Sequence, residues 1–461
     1  MQTNTTGSKP VIFIGAADAI CREAIRLFVQ ASDVPVVLAD ADEEELRTFA
    51  AKLPGRNVTI RKVNLFDPDE LRSTIAGAAL VIQGAQPYYR TSTPVITACI
   101  DAKVPYLDYS DDVSSTQASL DAHEQAKREG VPCYINCGSS PGMTNLIALD
   151  IAKELDTVES LDICWLVSEE GGQLGREVLE HLMHITGGPC LTWADGKPAV
   201  HENWVETVYA PIIAGSNDLF HESVHPEPVT LPRRLPAVPR IRTLGALSPA
   251  PFNGLARGLG AAVHSGALSM DAAVDFLEGM QKKTSTSWGE TVGAITAQFR
   301  GGDITLNQLY QLAAHGISSL KPWNLALWGM INQVRKGQCT SGEVLSFLVN
   351  SARGKQAPRR SGILVRGIGT RNGHPAVTTR RTPVVRKDSF MGESMATSIG
   401  ASCAAFALMV LDLGAQQRPG VQCPEDWAEL ETFIKSMERL GCLGIRLLSR
   451  LRGSLVATGL W

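Results

Sequence analysis

Gly15, Ala17, Asp18 and Ile20 stand where an apolar run, Val11-Ile12-Phe13-Ile14, gives way to a helix-like stretch. A glycine closing a strand, with a helix starting behind it, presents backbone N–H groups to a dinucleotide pyrophosphate. The full spacing, G-x-G-x-x-G, would place glycine at 15, 17 and 20. Gly15 supplies the tight turn. Ala17 sets one methyl group where the pyrophosphate approaches, and Ile20 sets a branched side chain where helix and strand pack closest. Asp18 brings a carboxylate to the helix N-terminus, which opposes phosphate unless it points away or caps the helix. Asp40 argues in the other direction. It follows the second apolar run, Val34–Ala39, twenty residues after Ile20. An acidic residue there hydrogen-bonds a ribose 2′-OH and repels a 2′-phosphate, so NAD(H) is expected over NADP(H). The competing role for Asp40 is a plain cap on the next helix.

These residues need a sheet to position them. Strand-like runs Val11–Ile14, Val34–Ala39, Val58–Val63, Ala79–Ile82, Tyr106–Asp108 and Cys133–Asn136 alternate with helical stretches such as Cys21–Ala31, Asp42–Lys52 and Thr116–Glu129. That alternation predicts a parallel, doubly wound sheet. Ligands of such sheets lie outside the carboxyl ends of the strands. Gly84–Tyr89, Asp108–Asp112 and Gly138–Thr144 are therefore expected near the Gly15 turn. Beyond residue 150 the alternation stops. Ser160–Val167 and Val365–Ile368 read as strands, Thr243–Gln338 as mainly helical, and Gly354–Gly362 as a basic loop. Apolar helix returns over Met395–Gly414 and again from Pro424 to near Arg439. The expected fold class is α/β. A Rossmann-type doubly wound parallel sheet (1–148) carries an inserted α+β second domain (149–388). C-terminal helices (389–440) return to the first domain, and an amphipathic tail (441–461) follows.

A chain of 461 residues has room for two or three domains. The net charge of −4 offers no basic field for nucleic acid. The ten cysteines include no C-x-x-C pair and no zinc spacing, which predicts buried free thiols in a reducing compartment and no metal. His181 with His184, and His221 with His225, also lack a matching carboxylate spacing for a metal. The N-terminus has no apolar targeting segment, and the apolar run Ala401–Leu411 is shorter than the ~20 residues a bilayer needs. The cytoplasm is the expected location. The tail is expected to pack on its own chain or a dimer mate, with membrane-surface contact as the alternative.

Several stretches together resemble the saccharopine dehydrogenase family. They are Ala79–Tyr89 (ALVIQGAQPYY), Val104–Asp112 (VPYLDYSDD), Asn136–Asp150 (NCGSSPGMTNLIALD), His225–Arg233 (HPEPVTLPR) and Ser394–Glu425. The resemblance implies hydride transfer between NAD(P)H and a carbon–nitrogen bond that links an amino acid to an oxo acid. It also implies a homodimer acting on a small molecule. The cofactor would run along Gly15, Ala17, Asp18, Ile20, Asp40, Gly84, Gln86, Pro87, Gly138 and Ser139. Gln86 stands where the family usually has glycine before Pro87. The nitrogen needs a proton donor, and the strand ends offer Tyr88, Tyr89, Asp108 and Asp111. Substrate carboxylates need anchors, expected from Arg176, His225, Glu227 and Arg233 of the second domain. Asp18, Ile20 and Gln86 also motivate an alternative: a redox-neutral cyclase or isomerase on the same scaffold.

Overall fold

The computed structural model describes residues 9–54, 57–168, 175–212, 216–281, 306–352, 361–382 and 395–442. The first sheet has seven strands: β1 (Val11–Ile14), β2 (Val36–Asp40), β3 (Val58–Lys62), β4 (Leu80–Gln83), β5 (Tyr106–Asp108), β6 (Pro132–Tyr134) and β15 (Gly420–Gln422). Their order is β15-β6-β5-β4-β1-β2-β3, and every pairing is parallel. β1 and β4 are buried throughout because helices cover both faces of the sheet. Aspartates open the helices that follow the strands. Asp18, Asp42, Asp67 and Asp112 each accept N–H bonds from the first turn, satisfying donors that a helix start leaves unpaired.

The second sheet has eight strands: β7 (Thr157–Ser168), β8 (Pro189–Ala194), β9 (Lys197–Glu202), β10 (Thr207–Ala210), β11 (Asp218–Glu222), β12 (Ile241–Ser248), β13 (Gly362–Arg371) and β14 (His374–Arg381). Only β12 and β7 run parallel; the remaining pairs are antiparallel. Helices Arg176–Thr186, Pro251–His264, Met270–Gln281 and Leu306–Arg335 pack beside this sheet. The architecture is thus a Rossmann-like parallel sheet joined to a mixed α+β unit. The stretch from Thr243 begins inside β12 and not in a helix, correcting the sequence reading. An apolar run such as TLGALS carries no period that separates strand from helix, and its pairing with β7 decides.

The chain then returns. Helix Met395–Leu413 packs on helix Ala19–Ala31. Gly400 makes the approach close: a methyl there would lie 2.8 Å from the Ala24 nitrogen. The returning helix is apolar enough to cross a bilayer by composition, yet two-thirds of it (67%) is buried inside the protein. β15 follows and pairs Val421 with Cys133. The sequence reading lacked this strand, because three residues are too few to show a period. All ten cysteines are free, and nine are buried. Residues 354–360 of the expected basic loop and 443–461 of the expected tail lie outside the described residues.

Candidate active site

A cavity of about 150 Å³ lies between the two units. Ile20, Gln86, Tyr88, Tyr109, Asp111 and Ser139 line it from the first sheet's carboxyl edge. Trp165, Ser168, His181, His225 and Phe252 line it from the second unit, and Met395 and Ile399 from the returning helix. Its walls are mostly apolar. Four polar groups on them are buried without a completed hydrogen bond among the described residues: the Tyr88 and Tyr109 hydroxyls, the Trp165 indole N–H and the Ser168 hydroxyl. Burial, and then the Asp111 charge, hold the Tyr88 phenol well above its ordinary range, so it stays a neutral donor.

His225 is the best-supported titratable group on the wall. It follows β11 in the segment His-Pro-Glu-Pro, where proline suits the start of the short helix Glu227–Thr230. Its Nδ1 lies 2.6 Å from Glu227 Oε2, and Glu227 is fully buried. Ser140 Oγ and Thr144 Oγ1 donate to Glu227 Oε1 at 2.6 and 2.8 Å, and Thr243 Oγ1 donates to Oε2 at 3.3 Å. Burial alone would push the Glu227 carboxyl up. The neighbouring His225 and the Ser140 hydroxyl outweigh it and hold the carboxyl below its usual range. His225 Nδ1–H donates to the ionised Glu227, which leaves Nε2 for the cavity.

His181, on helix Arg176–Thr186, sets Nε2 3.2 Å from Asp111 Oδ2, which follows β5. This pair bridges the two units at the cavity wall. Burial opposes both charges, yet each partner wins: Asp111 is lowered by His181, and His181 is raised by Asp111. A lowered aspartate contributes stability above its unfolded pKa, and a raised histidine contributes it below its own. The pair is therefore expected to stabilise most between about pH 4 and 6.5. Melting temperatures of the native protein and Asp111→Asn should differ most near pH 5. Their gap should close as pH rises through the folded His181 pKa. A gap that does not vary with pH would assign Asp111 no ionic role.

The Gly15 turn has a feature of its own. Gly15 adopts φ +78°, and a methyl there would lie 2.3 Å from the Ala85 nitrogen, so only glycine fits. Asp18 caps the helix and accepts from Ile20 N at 2.8 Å and Cys21 N at 3.2 Å. Ala17 N donates to Asp40 Oδ2 at 3.0 Å, and Asp42 N donates to Asp40 Oδ1 at 3.2 Å. Asp40 therefore braces the turn and keeps lone pairs for a ribose diol. A dinucleotide fits at Asp40 and along the carboxyl ends of β4 to β6. At the pyrophosphate position Asp18 itself occupies the helix amides. Burial raises the Asp18 pKa.

The structure brings Tyr88, Asp111, Ile20, Gln86, Ser139 and His225 to one cavity. Other expected site residues are placed elsewhere. Asp108 is buried behind the wall, where Tyr106 Oη, Ser110 N and Asn136 N donate to it. Burial lifts its pKa to about 6, but its work is tying β5 to the chain after β6. Tyr89 is 47% exposed and meets the His184 ring at 5.8 Å, a contact between the units and not a cavity donor. Arg176 pairs with Asp271 and Asp275 at 2.6 and 2.7 Å on the surface. Arg233 points to Asp426 at 3.4 Å, beside β15. Neither arginine is among the residues that line the cavity. Glu227 sits behind His225 and not on the wall. Gly84 and Pro87 frame the turn after β4; a methyl at Gly84 would lie 2.3 Å from Tyr109 Oη. Gly138 N donates to Pro141 O, and Ser139 Oγ bonds Ser398 and Ser402 of the returning helix. His181, Trp165 and Ser168 were not legible as site residues: each comes from an element remote in sequence from the strand ends.

Residues 11–133 match the family profile described as saccharopine dehydrogenase NADP binding domain. The fold is similar to that of an apo, histidine-tagged saccharopine dehydrogenase (L-Glu forming) from Saccharomyces cerevisiae. That match has a TM-score of 0.56 and 15% identity, covering 94% of this chain and 97% of the yeast one. A structure of Pen from Bacillus thuringiensis matches 28% of this chain and 50% of its own, with 13% identity and a TM-score of 0.25. The yeast likeness speaks for the fold, and the profile for the family of the nucleotide domain. Residues 11–133 thus match the nucleotide-binding domain of that family, and the chain carries a two-unit fold similar to that of the yeast enzyme.

Proposed function

We propose that this protein catalyses hydride transfer between NAD(H) and a carbon–nitrogen bond of a small metabolite held in the cavity. The observation that carries the reading is His225 on the cavity wall, with Nδ1 fixed by a buried, ionised Glu227. Nε2 can then hold the proton that the substrate nitrogen needs when carbon receives hydride. A bound nicotinamide supplies that hydride or takes it back. The Gly15 turn, Asp40, Gln86 and Ser139 would hold the dinucleotide. The Asp40 carboxylate supports NAD(H) over NADP(H) by repelling a 2′-phosphate. An amino-acid-derived imine suits the cavity where its carboxylate is absent or masked, because neither Arg176 nor Arg233 reaches the wall.

Titration of the purified protein with NADH and with NADPH tests the reading, followed by nicotinamide fluorescence. Saturable binding of NADH, tighter than that of NADPH, is the expected result. Asp18→Gly should improve NADH affinity about tenfold, since it removes a charge facing the pyrophosphate. It should cost only a few tenths of a kcal/mol as a cap. No binding to either protein would favour a second reading, redox-neutral cyclisation or isomerisation by His225. That reading draws on Asp18, whose carboxylate already holds the amides that a pyrophosphate would use.

A further inference from the structure

The cavity wall has a charge balance that bears on what can enter. Among the described residues no lysine or arginine lines it. Both histidines on it already face a carboxylate of the protein, His181 facing Asp111 and His225 facing Glu227. Among the described residues that line it, no positive charge is left over for an anionic ligand. A carboxylate carried into this space would lose its hydration without a counter-charge and would sit beside Asp111. The unsatisfied groups on the wall are of another kind. The Trp165 indole N–H and the Ser168 hydroxyl are at least nine-tenths buried with no partner among the described residues, and the Tyr88 and Tyr109 hydroxyls, also buried, face each other as neutral donors. Buried donors of this sort call for an acceptor atom from a ligand. Leu166, Val178, Leu182, Leu247, Phe252 and Ile363 contribute apolar wall, and Gln86 and several serines are the further polar lining.

We infer that the cavity binds an uncharged, largely hydrocarbon substrate carrying one acceptor, an imine nitrogen or a carbonyl oxygen, placed against Tyr88, Tyr109 and Trp165. This deepens the oxidoreductase reading by naming a substrate class for the same cavity. It rests on that reading only for what happens after binding. The pairing leaves His225 Nε2 on the same wall as the acceptor, where the proton is needed.

The test is binding to the full-length protein without added nicotinamide, using 2-nonanone as the neutral probe and glutarate as the dianionic one. Tryptophan fluorescence and thermal shift report it. The ketone is expected to bind saturably and raise Tm, with the fluorescence response lost in Trp165→Phe. Glutarate is expected to do neither. Val178→Arg, on a half-buried face of helix Arg176–Thr186, should weaken the ketone about tenfold or more. Tyr109→Phe should weaken it severalfold, and it serves should Val178→Arg fail to fold. Saturable glutarate binding, or no ketone response, overturns the inference. Ketone binding without nicotinamide binding or oxidation would overturn the oxidoreductase reading and leave this one standing.

Discussion

His225→Gln is expected to lower kcat by about 10²- to 10⁴-fold, the usual worth of a positioned proton donor. The change keeps a polar side chain of similar length beside Glu227 but removes the titratable nitrogen. KM should change little, because His225 is one contact in a mostly apolar enclosure. The pH profile should lose the limb that reports the donor. Steady-state rates across pH, with NADH oxidation as the readout, check this once a turned-over imine is in hand. An unchanged kcat would move the donor to Tyr88 or Tyr109, the other proton-bearing groups on the wall.

Glu227→Ala is expected to cost about 3–5 kcal/mol of stability, as for breaking one side of a buried charged pair. Four groups would lose their acceptor at once: Ser140, Thr144, Thr243 and His225. Two of them belong to the chain after β6 and two to the second unit, so the loss falls on the junction between the units. Denaturant or thermal unfolding measures it. Glu227→Gln separates packing from charge. The amide fills the space and can accept from the hydroxyls, but its NH₂ would donate to Nδ1 and reverse the His225 tautomer. The lowered carboxyl pKa sets the sign with pH. Its contribution is present above the unfolded value of about 4.3 and is lost as pH falls through the folded one. The stability gap between the native protein and Glu227→Gln should therefore shrink in acid. Wild-type stability in Glu227→Ala would remove Glu227 from the junction.

Local chemistry settled a good share of this protein before any folding. Apolar runs such as VIFI suit a strand covered on both faces, and it is their alternation with helical stretches that favours parallel strands with crossover connections. Glycine at 15 is demanded by a left-handed φ in a tight turn, and aspartates at 18, 42, 67 and 112 cap helices through bonds that span two or three residues. Such features act over a few residues, so one sequence suffices to read them. The rule that ligands gather at strand ends points to Tyr88 and Asp111, which line the cavity.

The tertiary structure decided the rest, because those features depend on residues far apart in the chain. His181 meets Asp111 across 70 positions, and Ser140 meets Glu227 across 87. No local pattern distinguishes such a histidine from a surface one. Asp108 read as a donor but became a buried tie, since its neighbours Tyr106, Ser110 and Asn136 claim both oxygens. Arg176 and Arg233 read as anchors, yet aspartates elsewhere took them first. The apolar character of the cavity is tertiary too. It arises where β7, helix Arg176–Thr186 and the returning helix Met395–Leu413 close over the strand ends. The residue types they bring there come from elements with no local relation to the nucleotide domain.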